Sequence, residues 1–182
     1  GVTEPGAGSD VKAIRTTARL DGDHFVLNGT KTFITNGVYG DLYCIAAKTD
    51  PGGKPSQSMS MFLVEKGAPG FKVARALDKH GWRSSDTAEL IFGDCRIPAG
   101  NILRKDGRCF YSIMKNFQNE RIVLGAMAMG EAQAAIELTL DWITQRNTFG
   151  STLFEKQAVR QRLAMLASKV EAGRQLVHYA AF

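Results

Sequence analysis

The sequence is poor in the residues that most often announce a special chemistry. Its 182 residues hold three cysteines and three histidines. Cys44, Cys95 and Cys109 are widely spaced and odd in number, which argues against a disulfide framework and for a reducing compartment. His24, His80 and His178 show no paired spacing, so no metal site is expected. There is no run of about 18 apolar residues, so no membrane span is expected. Lys and Arg outnumber Asp and Glu by 23 to 18 without forming a run, and a nucleic-acid footprint is not supported. The net charge of +5 suits an anionic ligand or an ordinary solvated surface. The chain opens at Gly1 without methionine and stops at Phe182 without a helix stop signal. Both ends look cut, and no targeting segment is visible.

What is present is an ordinary globular composition, 44% apolar and 23% charged, with length enough for a real core. Two periods divide it. Residues 1–105 carry short apolar runs between turn signals: Arg15 to Leu20, Phe25 to Asn28, Thr32 to Thr35, Leu42 to Ala47, Met59 to Val64, Phe71 to Ala76 and Ala88 to Phe92. Asp21-Gly22-Asp23 and Asn36-Gly37 are turn pairs, and Pro51 to Ser56 is a loop. This spacing predicts an antiparallel β-barrel or sandwich.

Residues 106–182 contain no proline and favour helix. Phe110, Ile113, Met114, Phe117 and Leu124 form a helical stripe that runs to about Arg146. Asn147 to Gly150 breaks it, and Thr152 with Glu155 resembles a capping box that opens a second helix. Leu163, Leu166, Val170 and Val177 mark its expected buried face. The fold class is therefore α+β, a β-domain followed by two antiparallel helices, half of a four-helix bundle.

The glycine-rich stretch from Gly1 to Asp10 lacks the third glycine and following helix of a dinucleotide fingerprint, and the Gly-Lys-Ser/Thr of a P-loop. It is a loop on a β-scaffold, either one that lets backbone approach a ligand or a plain tight connection. Val2 to Asp10 resembles the first signature of the acyl-CoA dehydrogenases. Asn28 to Gly37, Gly81 to Thr87, Phe92 to Pro98 and Gln145 to Gly150 resemble later segments of that family in the same order. The stretch Gly107 to Lys115 is similar to the long-chain branch.

That resemblance implies FAD. Val2, Thr3, Gly8, Ser9, Phe33, Ile34 and Thr35 would face the flavin, with Phe33 stacked on the ring and Thr35 near N5. From the residues alone, Phe33 and Thr35 are equally an ordinary strand pair. Arg146 would bind the flavin pyrophosphate of a neighbouring subunit, assisted by Thr148, Phe149 and Gln157, which implies a homodimer or homotetramer. Otherwise Arg146 is a helix C-terminal arginine favoured by the dipole. Ser9, Tyr111, Gln118 and Arg121 would hold the acyl-CoA.

By resemblance to the long-chain and isovaleryl-type branches, Glu120 is the candidate base for the α-proton, a role that needs a carboxylate of raised pKa in an apolar pocket; in most of the family the base comes from a later segment that is not among these residues. The other reading is a surface glutamate paired with a helix neighbour. On an ideal helix Tyr111 and Arg121 lie about 80° apart and Tyr111 and Glu120 about 180° apart, so Glu120 points away from a shared CoA contact. The implied reaction yields a trans-2-enoyl-CoA, with electrons passing to an electron-transfer flavoprotein in a bacterial cytoplasm or mitochondrial matrix. The rivals are an acyl-CoA oxidase or flavin monooxygenase on the same fold, and a non-catalytic flavin or acyl-CoA binding module. The family's N-terminal helical domain and later C-terminal segment are not among these residues, so the isolated chain is expected to be inactive and to bind FAD weakly.

Overall fold

The computed structural model describes residues 1–50, 52–54, 57–103 and 109–182. Pro51, Pro55 and Ser56 of the expected loop, the expected division at 105/106, and Gly107 and Arg108 lie outside the described residues. The chain forms two compact units, Gly1–Met114 and Lys115–Phe182.

Six strands build the first unit: β1 (Thr17–Asp21), β2 (His24–Thr35), β3 (Leu42–Lys48), β4 (Met59–Glu65), β5 (Phe71–Ala76) and β6 (Thr87–Pro98). Asp21-Gly22-Asp23 is the hairpin turn expected, with Asp21 facing His24 and Gly22 at φ 64°. β1 begins later than Arg15, because the amides of Arg15 and Thr16 donate to the Glu4 carboxylate and leave the ladder.

The runs expected at Phe25 to Asn28 and Thr32 to Thr35 are one strand. The chain passes Asn28-Gly29 through a register shift and does not turn there. A Cβ on Gly29 would sit 2.7 Å from Thr16 Cα, so only glycine permits this crossing. β6 likewise runs through Gly93-Asp94 to Pro98. The Asp94 amide donates to Asn28 Oδ1 at 2.9 Å and Asn28 Nδ2 to the Asp94 carboxylate at 3.1 Å, which fastens the two irregular points together.

The sheet order is β4-β3-β1-β2-β6-β5. Its neighbours pair antiparallel except β1 and β3, which meet in parallel at Thr17 and Lys48. Strands far apart in that order nevertheless touch. The rings of Tyr43 on β3 and Phe71 on β5 are 4.9 Å apart, as are those of Phe25 on β2 and Phe62 on β4. The sheet therefore curls over its own face and encloses a core of Leu27, Ile45, Phe62, Val64, Leu90 and Cys95. Phe62 is fully buried. Truncating such a ring to alanine costs about 3–5 kcal/mol.

Helix α1 (Cys109–Gln145) starts in the first unit and continues through the second. It ends at a hairpin of β7 (Asn147–Thr148) and β8 (Ser151–Thr152), followed by α2 (Gln157–Ala181). The capping box of Thr152 and Glu155 is present, but it opens a 3-10 turn, Leu153–Glu155, ahead of α2. The helices run antiparallel: Gly125 meets Val177 and, further along α1, Met129 meets the earlier Gly173. A Cβ on Gly125 would lie 3.2 Å from Val177 Cγ2, so close helix approach accounts for this glycine.

The buried faces are narrower than expected. Ile113 and Val170 are buried, while Leu124 is 63% and Leu166 42% exposed. One helix–helix seam covers one strip of each helix, and residues a third of a turn away remain outside it. Leu138, Trp142, Leu176 and Tyr179 are exposed for the same reason. By length and composition α1 is apolar enough to cross a membrane, although it holds no unbroken run of about 18 apolar residues. Its average is carried by Ala, Met and Leu interspersed with Glu131, Gln133 and Glu137, a composition shared by bundle helices whose neighbours bury them.

Candidate functional site

The entry segment lies beside β2 and β3. The Thr32 amide donates to the Thr3 carbonyl at 3.0 Å and the Ala46 amide to the Gly1 carbonyl at 3.0 Å. Glu4 and Ala7 then exchange amide–carbonyl bonds across Pro5-Gly6, a tight turn whose φ Pro5 presets. Asp10 caps a short 3-10 turn, Val11–Ala13, by accepting from the Lys12 amide. Gly8 and Ser9 stand exposed between these two turns.

A buried ion pair fixes this segment. Lys31 is fully buried, and its Nζ donates to Glu4 Oε1 at 2.8 Å and to the Val2 carbonyl at 3.0 Å. Glu4 also accepts from the amides of Thr16 at 3.0 Å and Arg15 at 2.5 Å. Burial drives the Lys31 ammonium below its ordinary pKa, although the bond to Glu4 opposes the shift. Burial pushes the Glu4 carboxyl up, but the bonds from Lys31, Thr16 and Arg15 together overcome that and leave it below the usual carboxylate range.

A depressed carboxylate pKa contributes stability above the unfolded value that is lost as pH falls through the folded one. The urea midpoint is therefore expected to hold steady above about pH 5 and to fall below about pH 4. Glu4→Gln should remove part of that fall, and an unchanged acid limb in the variant would refute the assignment.

Phe33 sits in a register shift of β2 with φ 57° and 67% of its surface exposed. A bulky residue at positive φ carries strain, and such strain persists where the surrounding structure imposes it. Thr35 is exposed as well, while Ile34 between them enters the core. Phe33 and Thr35 are thus both outward, and Ile34 can offer a ligand only its backbone. Among the described residues, the Thr3 amide, the Thr3 hydroxyl and the Thr35 hydroxyl donate to no protein group. An exposed ring beside uncommitted donors is an arrangement that suits a planar, hydrogen-bonding ligand.

Tyr111 is exposed on the first turns of α1, edge-on to Phe110 at 5.8 Å. Lys12 Nζ lies 5.5 Å from the Phe110 ring centroid, which brings the segment following Ser9 to the start of that helix.

The remaining candidates belong to the second unit. Gln118, Glu120 and Arg121 are exposed on α1, and Glu120 Oε1 accepts from Asn116 Nδ2 at 2.5 Å. Arg146 follows α1 directly, and its carbonyl accepts from the Leu153 amide at 2.8 Å. Thr148 is on β7, and Phe149-Gly150 forms the two-residue turn with φ of 52° and 80°. The Phe149 ring is fully exposed in the second positive-φ aromatic position among the candidates. Gln157 opens α2.

Sequence reasoning passed over Glu4 and Lys31. The available signal was a lysine inside a strand otherwise heading into the core. Its partner is 27 residues away, and no local pattern links them.

Comparison with known proteins gives a consistent result. Residues 1–95 match the model of the acyl-CoA dehydrogenase middle domain, and residues 107–182 that of the acyl-CoA dehydrogenase C-terminal domain. Cyclohexane-1-carbonyl-CoA dehydrogenase of Geobacter metallireducens is 43% identical over 99% of this chain and 47% of its own length. The mitochondrial long-chain specific acyl-CoA dehydrogenase of Sus scrofa is 39% identical over 93% of this chain and 40% of its own. The crystal structure of acyl-CoA dehydrogenase from Geobacillus kaustophilus superposes with a TM-score of 0.94 at 45% identity, covering 97% of this chain and 47% of that one. The chain spans about half the length of the relatives it matches.

Proposed function

Because the chain belongs to the acyl-CoA dehydrogenase family, we propose that it forms the flavin- and thioester-holding core of an FAD-dependent acyl-CoA dehydrogenase. The observation that carries this reading is Phe33, an exposed ring held at φ 57° beside the uncommitted donors of Thr3 and Thr35. Those groups fit a planar heteroaromatic ring: Phe33 supplies a flat apolar face, Thr3 donors for one polar edge, and Thr35 a hydroxyl for another. Val2 and Ile34 contribute backbone, and Gly8 and Ser9 the close approach of the loop. FAD, when bound, takes a hydride from the β carbon of the thioester. Loss of the α-proton to a base, for which Glu120 is proposed, completes the trans-2-enoyl-CoA.

Arg146, Thr148, Phe149 and Gln157 are proposed to hold the pyrophosphate of a flavin in a neighbouring copy, in a homodimer or homotetramer. Ser9, Tyr111, Gln118 and Arg121 are proposed to hold the acyl-CoA. The division of labour is proposed to fall at residues 105/106, with electrons passing to an electron-transfer flavoprotein. A bacterial cytoplasm or a mitochondrial matrix suits this chemistry.

The test is anaerobic mixing of the flavin-loaded protein that carries this chain with a series of acyl-CoA thioesters. Bleaching of the visible flavin band with release of an enoyl-CoA is expected. Rapid reoxidation of the bleached protein by oxygen alone would favour an oxidase. Binding of flavin and thioester without bleaching would favour a binding module.

A further inference from the structure

A fully buried charge of the first unit, Lys31, touches the proposed flavin edge through a single peptide group. We propose that Lys31 is a positioning residue that acts through the Val2–Thr3 peptide, strengthening the Thr3 amide as a donor to bound flavin and so raising the flavin reduction potential. The proposal rests on the flavin reading of this site.

The geometry is specific. Lys31 Nζ donates to the Val2 carbonyl at 3.0 Å. That carbonyl and the Thr3 amide are the two ends of one planar, resonance-coupled unit. A cation on the oxygen draws electron density from the nitrogen, and the amide becomes a stronger donor, as in any polarised hydrogen-bond chain. The Thr3 amide donates to no protein group among the described residues, so this enhancement is available to a ligand. Its direction is fixed, because the Thr3 carbonyl accepts from the Thr32 amide at 3.0 Å. The ammonium is fully buried, and its field is weakly screened.

The counter-ion offsets part of the ammonium's field and is itself held in a fixed place. Glu4 takes one side of the ammonium at 2.8 Å, and the amides of Arg15 and Thr16 hold its two oxygens in place. A buried ammonium needs acceptors for its remaining protons, and the one it takes is the carbonyl that backs the Thr3 amide. An apolar pair would also fill the space at lower desolvation cost. A donor aimed at the pyrimidine oxygens stabilises the form of the ring that bears more negative charge, the reduced one. A stronger donor therefore makes hydride uptake from the thioester more favourable.

Two variants separate this from a structural role. Lys31→Met with Glu4→Gln removes both charges, leaves no lone buried ion, and keeps one acceptor oxygen where Glu4 offered two to the Arg15 and Thr16 amides. Phe62→Leu loosens the buried core of the same sheet and leaves the ion pair untouched. The potential of the flavin-loaded protein is read by equilibration with a reference dye near neutral pH.

The neutral pair is expected to lower the reduction equilibrium about tenfold, about 30 mV for a two-electron couple. Phe62→Leu is expected to leave it unchanged. Shifts of the same sign in both variants, or none in either despite bound flavin, would assign the pair to the fold and overturn the proposal. If Phe62→Leu does not fold, the neutral pair decides alone. Failure of the wild-type protein to take up flavin at all overturns the flavin reading and this inference together. Flavin uptake with unmoved potentials overturns this inference only.

Discussion

Replacing Glu120 by Gln is expected to slow anaerobic flavin bleaching by acyl-CoA about a hundredfold to ten-thousandfold, the range that a positioned base contributes. The reaction cannot proceed without loss of the α-proton, and Gln keeps the length and shape of the side chain while losing the capacity to take it. Within the second unit Glu120 is exposed, and its carboxylate accepts from Asn116 one helical turn earlier. That bond orients the carboxylate and can survive in the variant as an amide–amide contact. The apolar surroundings that a base requires are not supplied by these two helices. Rapid mixing should therefore be done on the flavin-loaded protein that carries this chain, after showing that both forms bind FAD and thioester equally. Equal bleaching in the two would place the base elsewhere and return Glu120 to a surface helix residue.

The second large effect concerns stability. Lys31→Met alone is expected to cost about 3–5 kcal/mol in urea unfolding, because it strands the Glu4 carboxylate in the interior. The amides of Arg15 and Thr16 remain on that carboxylate and keep the loss from being larger. Adding Glu4→Gln should recover part of the loss, since it removes the stranded charge, while its single oxygen serves only one of the two amides well. A single variant within about 1 kcal/mol of wild type would contradict the buried pair. A double variant no better than the single would show that Lys31 acts through packing of its stem, not through charge.

The sequence by itself determined whatever depends on near neighbours. β5 occupies the predicted Phe71 to Ala76, because its bounding turns are local. The Asp21-Gly22-Asp23 hairpin, the Thr152–Glu155 capping box and the change from strand to helix periods are legible for the same reason. The motifs that carry the family resemblance are contiguous stretches, and the matching family models cover them.

Only the tertiary structure decided features in which distant residues compete. Asn28-Gly29 has the composition of a turn, yet β6 pairs along it and holds it in a strand. Leu124 and Leu166 fit a helical stripe, yet a two-helix seam is too narrow to cover them. Phe33 gives no local sign of its positive φ. Lys31 and Glu4 are each unremarkable until the fold closes 27 residues between them and removes water from both. Burial of the ion pair is a property of the curled sheet, and the positive φ of Phe33 sits in the register shift between β2 and β6, which no single stretch of sequence contains.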